Sequence, residues 1–158
     1  MISQCQQTLE LDPDYPLAHF HLGRAYMGKN MYPEAIAEYQ KAQASLGETP
    51  AILMAIGYAN AKAGDRAAAR KALEELRAQS KRRYVPALYF AAIYTGLGDS
   101  DAGLLWLEKA YREHSEYLIY LNVDPMADTL RASPRFQAIL RKIGIDDSSK
   151  LTKRDPNE

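Results

Sequence analysis

The sequence has a single cysteine, Cys5, so it forms no internal disulfide, and nothing around it has metal-ligand spacing. No apolar run approaches the roughly 18 residues that a membrane-spanning helix needs. The opening Met1-Ile2-Ser3-Gln4-Cys5-Gln6 lacks both the basic and the apolar region of a secretory leader, so a cytoplasmic protein with no membrane partner is expected. Charge of one sign is also lacking. Lys plus Arg and Asp plus Glu each number 20, which argues against a dedicated nucleic-acid surface. Groups for catalysis are few. His19 and His21 stand two apart and cannot share a helix face, and His19 reads as a packed core histidine. Three consecutive residues, His114-Ser115-Glu116, cannot arrange a nucleophile, a base and an orienter around one carbonyl. Gly96-Leu97-Gly98-Asp99 lacks the preceding strand and third glycine of a phosphate loop. Asp99 and Asp101 lack the rest of a calcium loop. A non-catalytic protein without cofactor or metal is expected.

What is present is periodicity. His19, Leu22, Gly23 and Tyr26 are followed by Ala35, Tyr39 and Ala42. Shifted by 34 positions, the pattern returns as Leu53, Ile56, Gly57 and Asn60, then Ala69, Leu73 and Leu76. A second shift gives Ala87, Phe90, Ala91 and Tyr94, then Gly103, Leu107 and Ala110. Small residues let two antiparallel helices approach closely, and large ones fill the space beside the contact. Each hairpin is too small to bury its own apolar face, so hairpins stack. The turns agree. Gly64-Asp65 and Gly98-Asp99 share one position in the period, where a left-handed residue ends a helix, and Asn30 takes that position in the first copy. Pro16, Pro33 and Pro50 stand where a helix start tolerates proline.

With this spacing the chain resembles the tetratricopeptide repeat family. The resemblance implies an all-α fold, a right-handed superhelix of helical hairpins. Residues 1–15 then form a partial repeat (second helix only). Three repeats come after it at 16–49, 50–83 and 84–115, with helices near 16–29, 33–46, 50–63, 66–80, 84–97 and 100–113. The chain departs from the family at His19 and Ala87, where Trp is frequent, at Asn60, where Tyr is usual, and at Gly103, where Ala is usual. Packing is expected to weaken locally, most of all in the third repeat.

Met1, Cys5 and Thr8 fall on second-helix packing positions, and Ile2, Cys5 and Leu9 make an apolar stripe without a lid on one side. Two readings stand: the chain is a piece of a longer protein, or the stripe meets a second copy of itself. Lys81-Arg82-Arg83 suits the negative end of the helix before it. Trp106 is expected to pack against the segment C-terminal to its helix. Beyond Tyr111 the period breaks, and residues 116–145 read as a helical cap. A short helix is expected over Pro125–Arg131 and another over Pro134–Ile143, capped by Ser133, with Phe136, Ile139, Leu140 and Ile143 on its apolar face. Residues 146–158 have Leu151 as their one large apolar side chain and are expected to be disordered. Asp124-Pro125, Leu130-Arg131 and Pro134-Arg135-Phe136, with Leu140 and Gly144, resemble the endings of repeat regions in bacterial multidomain signalling proteins: kinases, winged-helix regulators and TolB-like cyclases. That resemblance implies a sensory or scaffolding module.

In the family, the first helices of successive repeats line a concave groove. The matching positions supply Phe20, His21, Arg24 and Met27, then Met54, Tyr58 and Lys62, then Leu88 and Tyr89 as the candidate partner-binding residues. Leu17, Ala51, Ala55, Ala61, Val85 and Thr95 fall on groove positions as well. Such a surface suits a protein or peptide with apolar anchors, with Arg24 and Lys62 for its acidic groups. A homodimer through the N-terminal helix is the alternative. Members that bind chaperone tails clamp a terminal carboxylate with Lys, Asn, Asn, Lys and Arg. The matching positions hold Phe20, Arg24, Ala55, Val85 and Tyr89, so the clamp is absent.

Overall fold

The computed structural model describes residues 2–145; Met1 and the stretch 146–158, expected to be disordered, lie outside the described residues. Eight α-helices succeed one another among these residues: α1 Ile2–Leu11, α2 Pro16–Met27, α3 Tyr32–Leu46, α4 Pro50–Ala63, α5 Arg66–Ser80, α6 Ala87–Gly96, α7 Ser100–Arg112 and α8 Pro134–Lys142. Two 3-10 segments, Glu116–Tyr120 and Pro125–Leu130, separate α7 from α8. No strand occurs among the described residues.

Local chemistry sets the helix ends. The side chains of Thr49, Asp65 and Asp99 accept hydrogen bonds from the backbone N–H groups of Ile52, Ala68 and Ala102, satisfying donors that the first helical turn leaves free. Gly64 and Gly98 end α4 and α6 with φ of 89° and 77°, and Asn30 serves the first hairpin with φ of 59°. Two expectations need correction. α6 starts at Ala87, three residues later than the repeat frame places it, because Pro86 forces Val85 before it out of helical geometry. Ser133 occupies the N-cap of α8, but its side chain accepts no capping hydrogen bond.

The hairpins α2–α3, α4–α5 and α6–α7 each pack tightly, and α4 also meets α3 before it and α6 after it. Glycines mark the closest approaches. A Cβ on Gly23 would lie 2.6 Å from a ring carbon of Tyr39. One on Gly57 would lie 2.6 Å from Ile93 and 2.7 Å from the Ala72 methyl, so α4 is pressed between α5 and α6. Gly103 is matched to its surroundings: a Cβ there would lie 2.7 Å from the Thr95 methyl. The expected loosening at Gly103 is therefore absent, because Thr95 fills the space that alanine would take.

The segment after α7 closes the helical stack. Leu118, Leu121, Met126, Ala127, Leu130, Phe136, Ile139 and Leu140 join Ala91, Leu104 and Leu107 in one buried cluster. Burying a side chain such as Phe136 stabilises by roughly 1.5–3 kcal/mol. Arg131 staples the segment. Its guanidinium donates to the Asn122 carbonyl, to the Asp124 carbonyl at 3.2 Å and to Asp128 Oδ1 at 3.0 Å. Arg135 reaches from α8 to Glu108 of α7 at 3.0 Å. Trp106 packs against this cluster and against the neighbouring one that holds Leu73, Leu76 and Phe90. It stacks on Phe90 of α6, ring centroids 4.2 Å apart, with the Lys109 ammonium 4.7 Å from its ring centre.

At the other end, α1 rests on α2 but buries no side chain fully. Ile2, Cys5, Thr8 and Leu9 are half-buried, and Leu11 is 91% exposed.

Candidate functional site

The nine candidate residues fall into two kinds. His21, Arg24 and Lys62 are exposed, and among the described residues none of the three makes an ion pair or a side-chain hydrogen bond. Phe20, Met27, Met54, Tyr58, Leu88 and Tyr89 are half-buried. Phe20 and Met27 pack on Ala35, Tyr39, Ala55 and Ala59 where α2 and α3 meet α4, and Phe20 also stands edge-on to His21 at 6.0 Å. Met54 is shared between the two larger clusters, Tyr58 and Leu88 pack on the one that holds the C-terminal segment, and Tyr89 packs on the other. The six half-buried groups thus lie on α2, α4 and α6, and the three exposed ones on α2 and α4.

Four positions of the wider groove set do not face solvent. Ala55, Ala61, Val85 and Thr95 are 6%, 8%, 7% and 4% exposed. The causes differ: Ala55 packs with Ala35 and Tyr39 of α3, Thr95 faces Gly103 of α7, Val85 joins the cluster of Leu73, Leu76 and Phe90, and Ala61 meets α6, where a Cβ on Gly96 would lie 3.0 Å from it. These side chains fill contacts within the fold instead.

Burial perturbs the tyrosines. Burial pushes the Tyr58 phenol up to about 12, and Asp124, Tyr32 and Asp128 around it push the same way. Burial likewise raises the Tyr39 phenol, which feels Arg24 on one side and Tyr58 on the other. Tyr32, Asp124 and Asp128 are not among the residues that periodicity singles out. Asp124-Pro125 reads in sequence as a turn, and nothing local says that the segment it opens packs on α6 and α7.

The buried polar cluster lies elsewhere. His19, 6% exposed, places Nδ1 2.5 Å from Glu38 Oε2 and Nε2 2.8 Å from the Pro13 carbonyl. Lys41 donates to Glu38 Oε1 at 2.7 Å. The carboxyl of Glu38 is held below its ordinary value: burial raises it, but the hydrogen bonds and charges of Lys41 and His19 outweigh burial. Both ring nitrogens are thus engaged within the fold, as the reading of His19 as a core residue requires. A cavity of about 330 Å³ beside it is lined by Pro13, Asp14, His19, Lys41, Ala44 and Ser45. Among the described residues no three His, Cys, Asp or Glu side chains come together to hold a metal ion. No helix among them is long and apolar enough to cross a membrane.

The geometry that decides the comparison is the α2–α3 hairpin, with Gly23 under Tyr39 and Ala35 and Ala42 fully buried. Residues 16–45 match the tetratricopeptide repeat family. The matched stretch takes in α2 and all of α3 except Leu46. Tetratricopeptide repeats generally mediate protein–protein interaction and are typically non-catalytic. No curated protein and no solved structure matches the chain.

Proposed function

We propose that the chain is a non-catalytic interaction module that captures a peptide segment of a partner protein along the face formed by α2, α4 and α6. In this reading, repeats at 16–49, 50–83 and 84–115 stack as a right-handed superhelix, preceded by the half-repeat of α1 and closed by the cap at 116–145. The observation that carries it is the row Phe20, Met27, Met54, Tyr58, Leu88 and Tyr89, half-buried and open on one side, beside Arg24 and Lys62, which have no partner among the described residues. Half-buried aromatic and Met side chains supply adaptable apolar contacts, and unpaired cations supply orientation. The C-terminal motif residues support placing the module in a cytoplasmic bacterial signalling or regulatory protein. Asp124, Arg131, Arg135 and Phe136, which carry that resemblance, are the residues that hold the cap together.

The test is site-specific photo-crosslinking in cells, with the crosslinking residue in place of Tyr58 or Tyr89, and in place of exposed Arg70 on α5 as the control. One protein should be trapped from α4 and α6, not from α5, and lost on Arg24→Glu. Equal trapping from all three positions would remove the basis of the groove.

A second reading rests on α1. It has no fully buried side chain, and Leu11 at its end is 91% exposed, so this helix also suits self-association. Solution mass across a dilution series decides: a monomer at micromolar concentration counts against the dimer.

A further inference from the structure

Four of the ten exposed large apolar side chains among the described residues lie just past α7, Ile119 at 60% among them. Tyr117, Tyr120 and Val123 are 61%, 57% and 75% exposed. Their spacing of three is that of the 3-10 segment in which they begin, where residues i and i+3 eclipse one another. The backbone bonds from Leu118 N to Ser115 O, Leu121 N to Leu118 O and Val123 N to Tyr120 O, at 3.2, 3.1 and 3.0 Å, hold that register. Leu118 and Leu121, one residue along, are 3% and 2% exposed and anchor the opposite face in the core. The segment cannot roll to hide the tyrosines without exposing those leucines. A fixed aromatic ridge results.

The ridge continues into a basic rim. Tyr117 stands five residues past Arg112, the last residue of α7. Tyr84, 68% exposed, donates its hydroxyl hydrogen bond to Glu113 Oε2 at 3.2 Å. That bond brings the loop between α5 and α6 against the end of α7. The loop carries Lys81 and Arg82, and the helix end carries Arg112. All three are exposed, and none makes an ion pair or a side-chain hydrogen bond among the described residues. Glu113 is already occupied by Tyr84, by the Ala87 N–H at 3.3 Å and by Lys109 at 3.8 Å. Glu116, and Glu48, whose backbone carbonyl accepts from Gln79 and Arg83, are the carboxylates near these three cations, so positive charge is in excess here on a chain whose formal net charge is zero.

We propose that this end of the molecule is a second docking surface, for an acidic peptide segment of a partner protein. Its apolar side chains lie on Tyr117, Tyr120 and Val123, and its carboxylates meet Lys81, Arg82 and Arg112. Exposed tyrosines offer large, rigid contact area, and unpaired cations at the rim select acidic partners. A single-stranded nucleic acid would also stack on tyrosine. Three free cations beside two carboxylates release few counterions, however, so the observations favour the peptide.

The experiment is fluorescence anisotropy on the whole chain with a fluorescein-labelled peptide of alternating Glu and Phe, its Gln-for-Glu analogue, and oligo-dT. The Glu peptide should bind saturably, and the analogue and oligo-dT about tenfold more weakly or worse. The pair Tyr117→Ala with Tyr120→Ala, and the pair Lys81→Glu with Arg82→Glu, should each weaken the Glu peptide about tenfold. Arg24→Glu, in the groove, should leave this binding unchanged. All four substituted residues of the pairs are exposed, so thermal melts should match the parent. The proposal is overturned if the Glu peptide fails to bind, if the analogue binds equally, if oligo-dT binds more tightly, or if the paired variants bind like the parent.

Discussion

Nδ1 of His19 lies 2.5 Å from Oε2 of Glu38, and the same ring reaches the Pro13 carbonyl through Nε2 at 2.8 Å. One side chain thereby joins α2 to α3 and pins the linker that leads in from α1. A carbonyl oxygen only accepts, so Nε2 is the donor to Pro13, and the ring is fixed in rotation by partners on both edges. The position where the family often has Trp is thus filled by a polar tie rather than by apolar bulk.

Removing this tie should cost more than an exposed pair would, because both groups are buried. His19→Ala is expected to lower stability by about 2 kcal/mol, read from the midpoint of urea unfolding at constant slope. The pH dependence rests on Glu38, whose folded value is depressed below its ordinary 4.5. Its contribution is present above pH 4.5 and lost as the pH falls through the lowered folded value. The stability gap between the parent and Glu38→Gln should therefore be widest near neutrality and should close under acid. A gap that does not change with pH would show that the carboxylate charge contributes nothing.

Gly103 and Thr95 should behave as a matched pair. Gly103→Ala drives a Cβ to 2.7 Å from the Thr95 methyl and is expected to cost about 1–3 kcal/mol. Thr95→Ser removes that methyl and keeps the hydroxyl that donates to the Ala91 and Ala92 carbonyls at 2.9 and 2.8 Å. In the Thr95→Ser background the alanine should cost much less, with a coupling energy of about 1 kcal/mol or more in a double-mutant cycle. Simple additivity would mean that the helices shift apart instead.

The same pair shows where the sequence stops being legible. Turn chemistry is local, so Gly64, Gly98 and Asn30 could be placed from their own residue types and the period, and all three have positive φ. The small-and-large code likewise places Gly23 under Tyr39. Partnering between positions is not local. Nothing in the code says that Thr95 answers Gly103, or that α6 approaches α4 so closely that Gly96 lies against Tyr58 and Ala61. Pro86 delays α6 by a rule that could have been applied to the sequence, but the repeat frame overrode it. The aromatic ridge after α7 lies past the last period, where turn and capping signals mark the elements but not which side chains stay exposed.

Alkaline titration tests the crowding around Tyr58. Its folded phenol is raised to about 12 from an ordinary value of 10.0, and Tyr39 and Tyr89 are raised as well. The folded state keeps these phenols neutral while the unfolded chain ionises. Their contribution is present below pH 10 and is lost as the pH climbs through the folded values. Tyr58→Phe should remove one late-titrating phenol from the absorbance curve and flatten the alkaline fall in stability. Asp124→Asn should bring the Tyr58 step to lower pH. A curve unchanged by that variant would place the aspartate too far away to act.

Arg131 should decide whether the C-terminal segment melts with the rest. Its guanidinium bridges the end of the first 3-10 segment and the start of the second, and short 3-10 helices have few internal bonds to hold them alone. The segment is kept by two things: the burial of Leu118, Leu121, Met126 and Leu130, and this one side chain. Arg131→Ala leaves the burial and removes the staple. The expected loss is roughly 1–3 kcal/mol, confined to the segment. Amide exchange should quicken across residues 116–131 while α2 to α5 keep their protection, a sub-global opening rather than global unfolding. Arg131→Lys should rescue little, since one ammonium cannot reproduce a planar fork that meets three acceptors. Uniform loss of protection over the whole chain would instead show that the cap and the repeats fold as one unit, and that closing the last apolar face stabilises every hairpin before it.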